Sequence, residues 1–234
     1  MLLIPDSNSL SCSETIALVE QAKSLDFELG YEPKKHQLII EKNGQWQSKI
    51  YLSWLYDWDH EKGIQVKSDP HFALALIKAG QAAVGYFHQG ALIDHRVFRA
   101  YMVRQKQGKS QIKHLKTKGK SRAGSRIRLG ETERFFEEIN ERLTTYETDF
   151  PIDFWGVACG KTLWPFWFDS KTPPPFSSQN SNLIELPFHV RQASFEELAQ
   201  AGKLLSQFHI IFSSGHQSLS ISKPQEQEED LEDW

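Results

Sequence analysis

Apolar positions recur at helical spacing over residues 13–29 (SETIALVEQAKSLDFEL), where Ile16, Val19 and Leu25 with Ala17 and Ala22 predict an amphipathic helix that Ser13 can cap. The pattern then changes. Leu38, Ile39 and Ile40, an Asn43-Gly44 pair, and Trp46, Ile50, Leu52 and Trp54 predict a β-hairpin over 37–55. Beyond the polar stretch at 56–63, Ser68-Asp69-Pro70 can open a helix over 71–79 (HFALALIKA) that Gly80 ends. A buried strand is expected at 81–88, a turn at Gln89-Gly90, and a long β-rich segment at 91–104. Residues 105–124 hold almost no apolar side chains and read as a mobile loop bracketed by Gly108, Gly119 and Gly124. Helical spacing returns over 126–146, with Leu129, Phe135, Phe136, Ile139 and Leu143 on one stripe. Strands at 153–159 and 183–190 and a helix over 195–211 complete the ordered part.

Strands and helices interspersed in this way predict an α/β fold, a mixed β-sheet with flanking helices. The expected organisation is an N-terminal extension of helix plus hairpin at 1–65, a catalytic unit at 66–212, and an acidic, disordered tail at 213–234. No run of 18 apolar residues occurs, and the first ten residues lack a basic segment ahead of a long apolar one. A membrane span and a secretory leader are therefore not expected. Two cysteines, Cys12 and Cys159, are too few for a disulfide framework and suit a reducing compartment, so the expected location is cytoplasmic.

Charge changes the picture. The net charge of −3 on 234 residues hides a strong segregation: residues 95–130 carry 12 of the 27 lysines and arginines and no acid, leaving 15 basic against 30 acidic residues elsewhere. A block of this kind suits a polyanion, because Lys and Arg displace counterions from phosphates. Inside it stands Gly108-Lys109-Ser110-Gln111. A glutamine amide is neither base nor nucleophile, but it can hold a water, or present its backbone N–H to a developing oxyanion. Glycine lets the backbone approach a crowded phosphate-ribose closely. Taken alone, the tetrapeptide reads more readily as a solvated basic loop without catalysis.

The surrounding run adds context. Tyr101, Arg104, Lys106, Gln107, Gly108, Ser110 and Gln111, followed by Ala123, Gly124, Ser125 and Arg128, resemble the signature of the middle, catalytic domain of archaeal and eukaryotic class 1 peptide chain release factors. The likeness is to their Vms-like, ankyrin and zinc-finger ribosome-quality-control branch, in a bacterial, Bacteroidetes-type form, and extends over about 68–212. It implies a release-factor middle-domain fold of RNase H-like, translational-machinery type. The implied activity is peptidyl-tRNA hydrolysis that frees nascent chains on stalled large ribosomal subunits. In this comparison Gln111 positions the attacking group, Gly108 gives clearance and Ser110 completes the catalytic loop. The implied RNA-binding residues are Arg104, Lys106, Gln107, Lys109, Lys113, His114, Arg122, Arg126 and Arg128, with no metal and no cofactor. The same loop could instead cleave the tRNA near its 3′ CCA end, or bind tRNA and ribosome as a non-catalytic adaptor. Two departures stand out: Lys109 replaces the second glycine of the signature, and residues 126–131 lack its Asn-Glu pair, with Glu131 a candidate for the acid. The family's zinc finger and ankyrin repeats are absent from these 234 residues.

Other motifs are weaker. Gly156-Val157-Ala158-Cys159-Gly160-Lys161-Thr162 has three residues between its glycines where a P-loop needs four, so a strand end and turn are expected. Asp57, Asp59, His60 and Glu61 could hold a divalent ion, but neighbouring residues point apart and a solvated turn is favoured. His95 and His114 suit phosphate contact or a plain surface role better than acid–base work. Trp164, Phe166, Trp167 and Phe168 cannot all be buried on one face, which suggests an interface or a packed extension.

Overall fold

The computed structural model describes residues 2–100 and 120–213, with 120–129 described through their helical backbone only. The polypeptide forms two five-stranded sheets and a small hairpin. The first sheet is antiparallel throughout, in the order β1 (Asn8–Leu10), β12 (Phe208–Phe212), β4 (Gln45–Tyr51), β3 (Gln37–Lys42) and β2 (Glu28–Glu32). Helix α1 (Cys12–Ser24) covers it. Its cap is Ser11 rather than Ser13, because Ser11 and Glu14 close a reciprocal capping box: the Glu14 N–H donates to Ser11 Oγ at 3.2 Å and the Ser11 N–H to Glu14 Oε2 at 2.7 Å. The buried face is Leu18, Val19 and Ala22, packed on Leu38, Ile40 and Ile50, while Ile16 and Leu25 are exposed. The helix stops at Ser24, short of the expected residue 29, since Asp26 takes a left-handed turn into β2. Between β3 and β4, Asn43 and Gly44 both adopt positive φ, as the twist of a two-residue hairpin requires.

The second sheet is mixed. β7 (His71–Lys78), β8 (Gln81–His88) and β9 (Ala91–Arg99) form an antiparallel meander, and β10 (Phe154–Cys159) and β11 (Leu183–Glu185) continue the sheet beside β7 in parallel. The expected helix over 71–79 is therefore a strand. The reason is burial on both faces: Phe72, Leu74 and Leu76 point into one core, Ala73, Ala75 and Ile77 into the other. A central strand covered on both sides carries a continuous apolar run, which periodicity alone does not separate from a helix.

Two helices supply the covers. On one face, α2 (Lys120–Asp149) lays Phe135, Phe136, Ile139, Leu143 and Tyr146 against Tyr86, Trp155 and the short helix α3 (Trp164–Phe168). On the other, α4 (Phe195–Leu205) packs Leu198, Ala201 and Leu205 against Phe72, Phe87 and Trp54. The expected helix over 195–211 thus ends at Leu205, and 208–212 cross to the first sheet as β12. The Trp54 N–H donating to Leu205 O at 2.8 Å and the Trp54–Phe72 ring pair at 5.3 Å tie the segment after β4 to α4 and to β7. The fold is mixed α/β with flanking helices, as expected. No helix among the described residues is long and apolar enough to cross a membrane.

Candidate functional site

The basic segment begins on the edge strand of the second sheet and ends in the first turns of helix α2. Gln89 and Gly90, both at positive φ, turn β8 into the edge strand β9. The far end of β9 is tied down by the Ala100 N–H, which donates to Gly80 O at 2.9 Å. Gly80 itself has φ +78°, so glycine suits the turn that carries this acceptor. Exposed Arg96 and Arg99 begin the cationic run on β9, and the Arg96 guanidinium lies 5.0 Å from the Phe98 ring centroid.

The return path is α2. Its cationic first turns hold Lys120, Arg122, Arg126 and Arg128, while Glu131, Glu133, Glu137, Glu138 and Glu141 follow, so the helix is charge-polarised along its length. Two contacts fix it. Arg142 pairs with Asp94 of β9, joining the two elements that bracket residues 101–119. Asn140 is fully buried and acts as a hub: its Nδ2 donates to Thr172 O at 2.7 Å, Ser170 Oγ at 2.9 Å and Trp167 O at 3.2 Å, and its Oδ1 accepts from Trp167 Nε1 at 2.5 Å. A buried amide with both ends engaged holds α2 against α3 in one register.

The residues singled out on sequence fall mostly between these anchors. Gly108, Ser110 and Gln111, with Arg104, Lys106, Gln107, Lys109, Lys113 and His114, lie outside the described residues. Arg122 and Arg126 stand four residues apart on the backbone of α2, with Arg128 two further on. The matched length of chain now decides the family. A family model described as "Bacteroidetes VLRF1 release factor" matches residues 72–213, from the second residue of β7 to just past β12.

The chain belongs to the Bacteroidetes VLRF1 release factor family.

This agrees with the resemblance carried by Tyr101 to Gln111 and Ala123 to Arg128, including its Bacteroidetes-type character. Among solved structures, one described as "Vms1 mitochondrial localization core" is similar at 11% identity and a TM-score of 0.42, over 86% of this chain and 84% of that one. No curated protein sequence matches. In this VLRF1-family chain both the meander β7–β9 and helix α2 lie within the matched span, so the basic segment is an internal part of the family unit.

The weaker motifs resolve into structural roles. Gly156 sits inside β10, where a Cβ would come within 2.5 Å of Leu74 Cδ2 and 2.7 Å of Trp54 Cη2, so the glycine permits close packing and no phosphate loop is built. The expected strand end and turn are found at Cys159 to Leu163, followed by the five-residue α3. Burial pushes the Cys159 thiol up to about 12, which leaves it protonated and unreactive at neutral pH. Asp57, Asp59, His60 and Glu61 do not converge on a common point. Instead β5 (Tyr56–Asp59) and β6 (Gly63–Val66) form a hairpin, Asp59 Oδ1 accepts the Glu61 and Lys62 N–H groups at 2.8 Å each, and Asp57 pairs with Lys67 at 3.1 Å. Exposed His95 packs at a tilt of 43° against Phe195, with ring centroids 4.6 Å apart, a surface role. Of the four aromatics of α3, Trp167 is fully buried and Phe166 exposed, while Trp164 and Phe168 stack on each other at 4.9 Å.

One cluster of ligating side chains was missed on sequence: Asp69, His71 and His88. The signal was present. Reading 71–78 as a strand paired with 81–88 across a two-residue turn places His71 opposite His88, whereas a helix separates them.

Proposed function

We propose that this chain is a peptidyl-tRNA hydrolase of the release-factor type that acts in ribosome quality control, freeing nascent chains from tRNA on stalled large ribosomal subunits in the cytoplasm. The observation that carries the reading is the family match across 72–213, which spans Gly108-Lys109-Ser110-Gln111 in a basic segment held between β9 and α2. The sheet order β9-β8-β7-β10-β11, an antiparallel meander extended by two parallel strands, supports an RNase H-like reading of the catalytic unit.

In this scheme the cations of the segment bind the acceptor end of the tRNA. Gly108 lets the backbone approach the terminal ribose, and the Gln111 amide holds a water against the ester carbonyl. The water oxygen bonds to the carbonyl carbon, the bond from that carbon to the ribose oxygen breaks, and the proton lost by the water ends on that departing oxygen, which becomes a hydroxyl. Glutamine contributes placement rather than proton transfer, so the terminal ribose hydroxyl of the substrate relays the proton. Arg104, Lys106, Gln107, Lys109, Lys113, His114, Arg122, Arg126 and Arg128 supply the phosphate contacts.

The test is to incubate the protein with stalled large subunits carrying labelled peptidyl-tRNA and to examine both products. Release of free peptide with an intact CCA end supports hydrolysis. A shortened tRNA end overturns it in favour of nuclease action, and no turnover overturns it in favour of an adaptor.

A further inference from the structure

We propose that Asp69, His71 and His88 form a binding site for one divalent transition-metal ion of the zinc class, at the end of the β7–β8 hairpin remote from the basic segment.

The site is built by strand pairing. His71 and His88 are register partners at the open end of the hairpin, and their rings stack 4.5 Å apart with 13° between planes. Asp69, two residues before His71, presents one carboxylate oxygen to each ring: Oδ2 lies 3.0 Å from His71 Nε2 and Oδ1 lies 2.5 Å from His88 Nε2. One ligand atom from each of the three residues lies within 4.8 Å of the others. Ligands at about 2.0–2.2 Å from a tetrahedral zinc stand about 3.3–3.6 Å apart, so seating an ion takes a shift of the exposed Asp69 side chain and a turn of the partly exposed His88 ring toward His71. Two imidazoles and one carboxylate make a typical donor set for this class of metal, with a fourth position left to solvent beside half-exposed His88.

The surroundings match what ligating histidines require. His71 is buried, and its Nδ1 lies 2.7 Å from the Tyr86 hydroxyl, which leaves Nε2 as the nitrogen that faces Asp69. When Nε2 ligates, the ring carries its proton on Nδ1 and donates to the Tyr86 oxygen, an outer contact that fixes tautomer and ring orientation. The His71 N–H donates to Asp153 Oδ2 at 2.7 Å, and Gln89 Nε2 reaches Asp69 Oδ1 at 3.3 Å, so the backbone of one ligand and the carboxylate of another are both restrained.

Position separates this site from the release loop. The basic segment departs beside Gly80, and His71 and His88 stand at the opposite end of strands eight residues long, about 23 Å away along the sheet. The metal therefore staples the hairpin.

The test uses the full chain, stripped with chelator and titrated with Zn2+ against a chromophoric competitor, with Co2+ absorption as a second readout. The expected result is one ion bound per chain, at least tenfold weaker binding in Asp69→Asn and His88→Ala, and unchanged affinity in His114→Ala. The imidazole-ligated Co2+ spectrum is lost in His88→Ala. Circular dichroism of Asp69→Asn, which keeps the side-chain shape, confirms an intact fold. Absence of stoichiometric binding by the parent chain, or parental affinity in either cluster variant, overturns the proposal.

Discussion

Arg142 of α2 pairs with Asp94 of β9, so one ion pair spans the two elements from which residues 101–119 depart and to which they return. Both partners are partly exposed, and Arg142 also stacks over the Tyr146 ring at 5.0 Å. The pair sets the spacing of the anchors more than it stabilises the fold. A double-mutant cycle of Asp94→Ala and Arg142→Ala in urea unfolding is expected to show a coupling of about 1 kcal/mol. Peptide release is expected to fall in both single variants at temperatures where they remain folded. Full activity in both would show that anchor spacing does not matter.

Asn140 carries a larger share of stability. Asn140→Ala removes every partner from buried Trp167 Nε1 and withdraws donors from Trp167 O, Ser170 Oγ and Thr172 O. The expected loss is about 2–4 kcal/mol in urea unfolding, because orphaned buried polar groups cost more than the bonds they made. Trp167 is fully buried, so its fluorescence reports the loosening directly.

His36 predicts a pH dependence. Its ring is buried, with Nδ1 2.7 Å from Tyr31 Oη and Nε2 3.0 Å from Tyr56 O, and burial lowers it to about 4. Above pH 6.5 the ring is neutral in both states. Between about 6.5 and 4 the unfolded chain binds a proton that the folded chain refuses, so stability falls with falling pH, by about 3 kcal/mol in all. His36→Asn, which tolerates the left-handed backbone at φ 48°, is expected to flatten this part of the profile. An unchanged pH slope in the variant would contradict the assignment.

The cations of the basic segment predict a salt dependence. Each phosphate neutralised contributes about 0.7–0.9 to the slope of log affinity against log salt. Replacing Lys106, Lys113 and Arg122 with alanine is therefore expected to lower the slope for acceptor-stem RNA by about 2–3. Filter binding between low and physiological salt measures it.

Much of this architecture follows from local pattern. Asn43-Gly44 and Gln89-Gly90 mark hairpins because both residues of each pair must take positive φ, and the Phe135 to Leu143 stripe marks α2 because one face alone is covered. Local pattern fails where burial is two-sided or where pairing is distant. β7 reads as a helix because Ala and Leu fill a strand packed on both faces, and that misreading also conceals the His71–His88 pair. β12 is hidden because its partners, Asn8–Leu10 and residues 48–51, lie more than 150 residues away. The basic segment is the reverse case: its residue types carry the family likeness, while periodicity says nothing about them.

The most direct measurement is single-turnover release of labelled peptide from stalled large subunits by the parent chain and by Gln111→Ala. The account predicts that the variant binds the complex with similar affinity, retains the unfolding midpoint of the parent, and releases peptide at least a hundredfold more slowly. Release at the parental rate would contradict the central role of Gln111.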